Sequence, residues 1–138
     1  MLLLAASAAG IAIVVLTIAM TADAYGTLPA SVPIHLSLDG TPDGYGPRPM
    51  AWLIVVVQLG CSALFAFLIG EGLPRAATLG RGHGAGMPIF AVCVLAALGR
   101  GQRLLLMVGQ TGKPAPMRPF WTFFAAAFGI GIAALLLV

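Results

Sequence analysis

Apolar residues run from Leu2 to Met20 with only Ser7 and Thr17 as polar interruptions, and from Met50 to Gly70 with only Gln58 and Ser62. A further run goes from Pro119 to Val138 with no charge after Arg118. A helix rises about 1.5 Å per residue, so about 20 residues cross the hydrocarbon of a bilayer. Each of these three runs is long enough to span once. A shorter run from Met87 to Leu98 is followed by Gly99, Arg100, Gly101, Gln102 and Arg103, then by the apolar Leu104 to Val108. This pattern favours one helix from Met87 to about Val108, with two arginines in its last third, over a helix that stops at Leu98 before an interfacial segment. Arg100 and Arg103 are three residues apart and share a face. A central arginine costs at least about 3 kcal/mol on insertion scales, and snorkelling toward water lowers that cost.

Composition agrees with lipid as the solvent. The chain has 138 residues, 60% apolar and 8% charged, with a mean hydropathy of +1.04. A soluble domain carries about 25% charged residues. The expected fold is therefore an all-α membrane protein, a bundle of four transmembrane helices at about 2–20, 50–70, 87–108 and 119–138. It forms a single integral-membrane domain over 1–138, with a structured Pro/Gly-rich loop at 21–49. Ala22-Asp23-Ala24 has the small-x-small form of a signal cleavage site. No lysine or arginine precedes the first run, so it is read as a retained helix. Trp52, Phe120 and Trp121 stand near predicted boundaries, where aromatic side chains anchor to the interface.

Small residues recur every four positions in Ala125, Gly129 and Ala133, in Ala6 and Gly10, and in Cys93, Ala97 and Gly101. Such stripes let helices approach closely, within one chain or between copies. Alanine- and glycine-rich helices also produce the spacing by chance. Cys61 and Cys93 lie in apolar runs and read as free thiols acting as small apolar residues.

The net charge of +3 comes from seven basic and four acidic residues without a Lys/Arg run. Nucleic-acid binding needs a basic stripe and is not expected. Four crossings put the loops 21–49 and 109–118 on one side and the loop 71–86, with Arg75, Arg81 and His83, on the other. Arg48, Lys113 and Arg118 on the first side leave the positive-inside rule without a clean answer. Asp23, Asp39 and Asp43 share that side with Arg100 and Arg103. Two readings follow: Asp39 or Asp43 folds down to pair with Arg100 or Arg103, or the arginines reach headgroup phosphates.

The loop between the first two spans is the most patterned part. Pro29 and Pro33 exclude helix. Asp39-Gly40 and Asp43-Gly44 are turn dipeptides. Val32 to Leu38 reads as a short extended segment, and the whole as an ordered cap over one end of the bundle. The set Leu28, Pro29, Pro33, His35, Gly40, Pro42, Asp43, Gly46 and Arg48 resembles the domain-of-unknown-function family 1648, which also forms the N-terminal part of SdpI-type immunity proteins. The resemblance covers roughly Met1 to Gly70. Leu36 and Ser37 depart from the aromatic and asparagine common after the histidine, and the further helices of SdpI-type proteins are missing. The resemblance implies a multi-pass protein of the bacterial cytoplasmic membrane with this loop outside the cytoplasm.

The chemistry of the loop is thin. His35, Asp39 and Asp43 would suit zinc or manganese, but a histidine pinned by an aspartate or a backbone carbonyl explains the same residues. Ser31 and Ser37 near His35 lack a nucleophile elbow. The segment Gly80 to Gly86 lacks the Lys-Ser/Thr of a P-loop. None of the four acids sits mid-span, as a proton path would need. No cofactor and no catalysis are expected. The leading expectation is an accessory subunit of a larger membrane complex, working through protein contacts within the lipid bilayer. Alternatives are an SdpI-like immunity or sensor protein and a loop-based metal-dependent enzyme; a homo-oligomer fits the small-residue stripes.

Overall fold

Helix α3 (Gly86–Thr111) is the axis of the molecule. Helices α1 (Leu2–Tyr25), α2 (Leu53–Thr78) and α4 (Met117–Leu137) all pack chiefly against it. The computed structural model describes residues 1–78 and 86–137. Between α1 and α2 the chain forms an antiparallel hairpin of β1 (Ser31–Leu36) and β2 (Pro42–Pro47), then a 3-10 turn at Arg48–Trp52. All four helices are long and apolar enough to cross a membrane. The chain is a multi-pass α-helical membrane protein.

The segment Gly99–Arg103 does not break α3, as the sequence predicts. The helix instead runs on to Thr111, where Gly112 takes φ +65° and its N–H bonds back to Val108 O at 2.8 Å. A left-handed residue just past the last helical position closes the final turn. Helix α2 is also longer than the apolar run indicates, reaching Thr78 instead of stopping near Gly70. The expected polar loop on that side therefore begins later. His83 and Arg81 lie outside the described residues.

Small residues do mediate packing, but not all on the expected stripes. Gly10 faces Leu95, and Cys93 faces the Gly131 backbone. Ala125, Gly129 and Ala133 are exposed, and a side chain at Gly129 would meet nothing within 4 Å. The face of α4 turned to α3 is instead Ala127, Gly131 and Ala134, with Phe90 against Gly131 and the Gly86 backbone against Ala134. In lipid every face of a helix is apolar, so spacing reveals a stripe without saying which stripe points inward.

At the hairpin end the bundle carries a small core. Ala24, Leu28, Val32 and Leu106 are buried together, with Met20, Tyr25, Ile34 and Ala51 packed around them. Burial of a Leu or Val side chain contributes about 1.5–3 kcal/mol. Leu28 and Val32 therefore tie the hairpin to the top of α3.

Candidate functional site

The hairpin is a cap fixed to three helices. Its turn runs through Asp39-Gly40, as the sequence predicts. Gly40 takes φ +89°, a conformation natural to glycine alone. The Ala115 N–H donates to Gly40 O at 2.9 Å, and a side chain on Gly40 would run into the Ala115 carbonyl. This contact puts the loops before α2 and before α4 on the same end of the bundle. Trp121 Nε1 on α4 reaches Leu38 O at 3.5 Å. Gln110 Nε2 on α3 donates to Thr27 Oγ1 at 2.8 Å.

The remaining motif residues hold the hairpin's own shape. Pro33 is buried beside Gly109. Gly46 pairs across from Val32 and lies against Met50 and Ile34. Arg48 Nε donates to Pro29 O at 3.3 Å. Pro33, Pro42 and Pro47 are tolerated because a two-stranded sheet leaves each strand an outer edge that needs no N–H donor. Asp43-Gly44 is not a turn. It lies in β2, where Gly44 faces His35 across an irregular register.

The ionisable groups are occupied locally. His35 Nδ1–H donates to Asp43 Oδ1 at 2.5 Å, with both side chains largely in the open. Asp39 accepts from the Ser37 hydroxyl, the Thr41 N–H and the Thr41 hydroxyl. The Ser37 hydroxyl, followed by the two Thr41 donors, holds the Asp39 carboxyl down to about 2 from its ordinary 3.8. Neither aspartate pairs with an arginine among the described residues, and the expected pairing with Arg100 or Arg103 does not form. Donors two and eight residues away capture the carboxylates first. Arg100 instead lies over the Phe123 ring, 5.4 Å from its centre. His35, Asp39 and Asp43 do not converge, and no group of three metal-ligating side chains occurs among the described residues.

Two glutamines carry structure that the sequence reading passed over. Gln102 is buried on α3 and donates to Thr21 Oγ1 at 2.9 Å and to Ala51 O at 2.7 Å, joining α1, α3 and the turn before α2. Gln58 on α2 donates to Leu95 O at 2.9 Å, while its Oε1 finds no partner among the described residues. A glutamine inside an apolar span is itself the signal, because amides in lipid turn toward other helices. Gln102 was masked by the arginines on either side.

Below this layer, away from the hairpin, α1 and α2 diverge. They leave an apolar cleft of about 450 Å³ floored by α3 at Val92 and Leu95. Its walls include Ser7 and Ile11 on α1 and Leu59 and Ala66 on α2.

Residues 12–59 match the family model of the domain of unknown function DUF1648. The match takes in most of α1, the whole hairpin and the start of α2, and so confirms the resemblance carried by the loop motif. No curated protein and no solved structure matches the chain.

Proposed function

We propose that this is a non-enzymatic membrane subunit that acts by binding a larger membrane protein, with its hairpin on the extracytoplasmic face of a bacterial cytoplasmic membrane. The cleft between α1 and α2 carries this reading. Helix association in lipid rests on close packing and small residues, since burial from lipid offers no hydrophobic gain. The cleft is apolar, opens sideways and has small residues Ser7 and Ala66 on its walls. A helix of a partner protein fits it as a ridge fits a groove. The exposed Ala125, Gly129 and Ala133 stripe offers a second face, for another copy of the chain. The hairpin's polar groups support the same reading, because they are engaged in holding the cap rigid.

Purification of the tagged protein from its native membrane in gentle detergent, with mass spectrometry, tests the proposal. A stoichiometric larger protein is expected with the wild type and lost with Ala66→Trp, which fills the cleft. A partner-free wild type overturns the subunit reading. It would leave an immunity or sensor role, which the exposed His35–Asp43 pair favours. That role predicts loss of protection on His35→Ala in a protein that still inserts.

A further inference from the structure

A second groove, on the other side of α1, has a different chemistry. It lies between α1 and α4 on the flank of α3 and encloses about 230 Å³. Arg103 and Arg100 line it together with Met20, Leu16 and Ile13 of α1, Ala96 of α3 and Phe123 of α4. Both arginines are exposed there, and no carboxylate lies within ion-pair distance of either among the described residues. Their guanidinium groups present forked donors suited to phosphate.

The order of side chains along the groove gives its polarity. Arg103 stands nearest the hairpin end, Arg100 comes one turn deeper, and Ala96 another turn deeper still. From Arg103 to Ala96 is seven residues, or about 10 Å of helix. On the facing wall Met20, Thr17, Leu16 and Ile13 descend in parallel, apolar but for Thr17, whose hydroxyl is turned back to Ile13 O. Phe123, which Arg100 overlies, is six residues or about 9 Å inward from the start of α4 at Met117. On α3 itself Arg103 and Arg100 lie eight and eleven residues, about 12 and 16 Å, before Thr111, and the Phe123 contact sets Arg100 about two turns inside the start of α4, a depth from which long cationic side chains reach toward the headgroup layer. Two cations at the outer end of a groove that becomes wholly apolar further in match one kind of molecule.

We propose that this groove is a binding site for an anionic phospholipid, whose phosphate is held by Arg100 and Arg103 and whose acyl chain lies along Leu16, Ile13 and Ala96. A carboxylate on a partner's helix would satisfy the charges but would not require the descending apolar wall. The cation–π contact holds the Arg100 guanidinium against Phe123 in the groove lining. The site is independent of the α1–α2 cleft and goes beyond the subunit reading.

The test uses the full chain reconstituted in phosphatidylcholine nanodiscs containing a minor fraction of photoactivatable phosphatidylglycerol, its reactive group midway along the acyl chain. Labelling is expected to concentrate on the peptides bearing Ile13, Leu16 and Phe123. It should fall at least about fivefold in the double variant Arg100→Gln, Arg103→Gln, and with photoactivatable phosphatidylcholine in place of the anionic lipid. Leu16→Trp, which blocks the groove and keeps both charges, should lose the label as well. Even labelling of all four helices, or equal labelling by the zwitterionic probe, would overturn the proposal. If the double variant fails to insert, the comparison of the two probes on the wild-type chain decides alone. A protein adduct in native membranes from a photoactivatable residue at Leu16, with no lipid adduct, would also overturn it, in favour of a partner's acidic helix.

Discussion

Gln102 and Thr21 face each other across the α1–α3 interface, with the amide Nε2 donating to the threonine hydroxyl at 2.9 Å. The Thr21 hydroxyl in turn donates to Thr17 O, and the second amide hydrogen of Gln102 is donated to Ala51 O. One buried side chain therefore ties α1, α3 and the entry to α2 at a single level. Replacement of Gln102 by Leu should cost about 1 kcal/mol of stability, since it removes two polar contacts that in lipid contribute about 0.6 kcal/mol each. Reversible unfolding in bicelles or mixed micelles measures it.

Gln58 provides the contrast. It makes one interhelical bond, to Leu95 O, and leaves its carbonyl oxygen buried without a partner among the described residues. Removal of an unsatisfied buried acceptor offsets the lost bond. Gln58→Leu should therefore change stability by less than about 0.5 kcal/mol, clearly less than Gln102→Leu. The same unfolding assay on both variants checks the order.

Gly40 should be the hairpin's most sensitive position. Alanine there would have to adopt φ +89° and would press against the Ala115 carbonyl. Left-handed strain in a non-glycine residue costs about 1–3 kcal/mol. Gly40→Ala is expected to undock the hairpin turn from the α3–α4 loop while the four helices persist. Amide hydrogen exchange should show faster exchange at Ala115 and unchanged protection in the α3 interior.

Much of this architecture is legible in the sequence, and the exceptions have a common cause. The four spans follow from run length, and the continuity of α3 through two arginines follows from the apolar residues beyond them. The turn at Asp39-Gly40 is also plain. Asp43-Gly44 is the same kind of dipeptide, yet it lies in a strand because His35 stands opposite and takes the carboxylate. The pairing of Asp39 with Arg100 or Arg103 fails for a similar reason. Ser37 and Thr41 are already within reach when the turn forms. The outward direction of Ala125, Gly129 and Ala133 is hidden because an apolar helix in lipid has no hydrophobic face to set its rotation. These outcomes depend on which neighbour arrives first in space, and spacing along one chain does not encode that.

Acid should loosen the hairpin turn over a defined range. The Asp39 carboxyl titrates at about 2 in the folded hairpin against an ordinary 3.8. A group depressed on folding stabilises above its unfolded value, and that contribution fades as pH falls through the folded one. The turn should hold its full order above about pH 4 and lose the Asp39 contribution toward pH 2. The indole N–H resonance of Trp121, which reports on Leu38, should follow this change, and Asp39→Asn should abolish most of it.

Occupation of the α1–α2 cleft by another protein can be read out by photo-cross-linking in the native membrane. A photoactivatable residue at Ala66, on the cleft wall, is compared with one at Leu136, exposed on α4 away from it. A single discrete adduct with a larger membrane protein is expected from position 66 and none from position 136. Lipid adducts alone from both positions, or the same protein adducts from each, would contradict it.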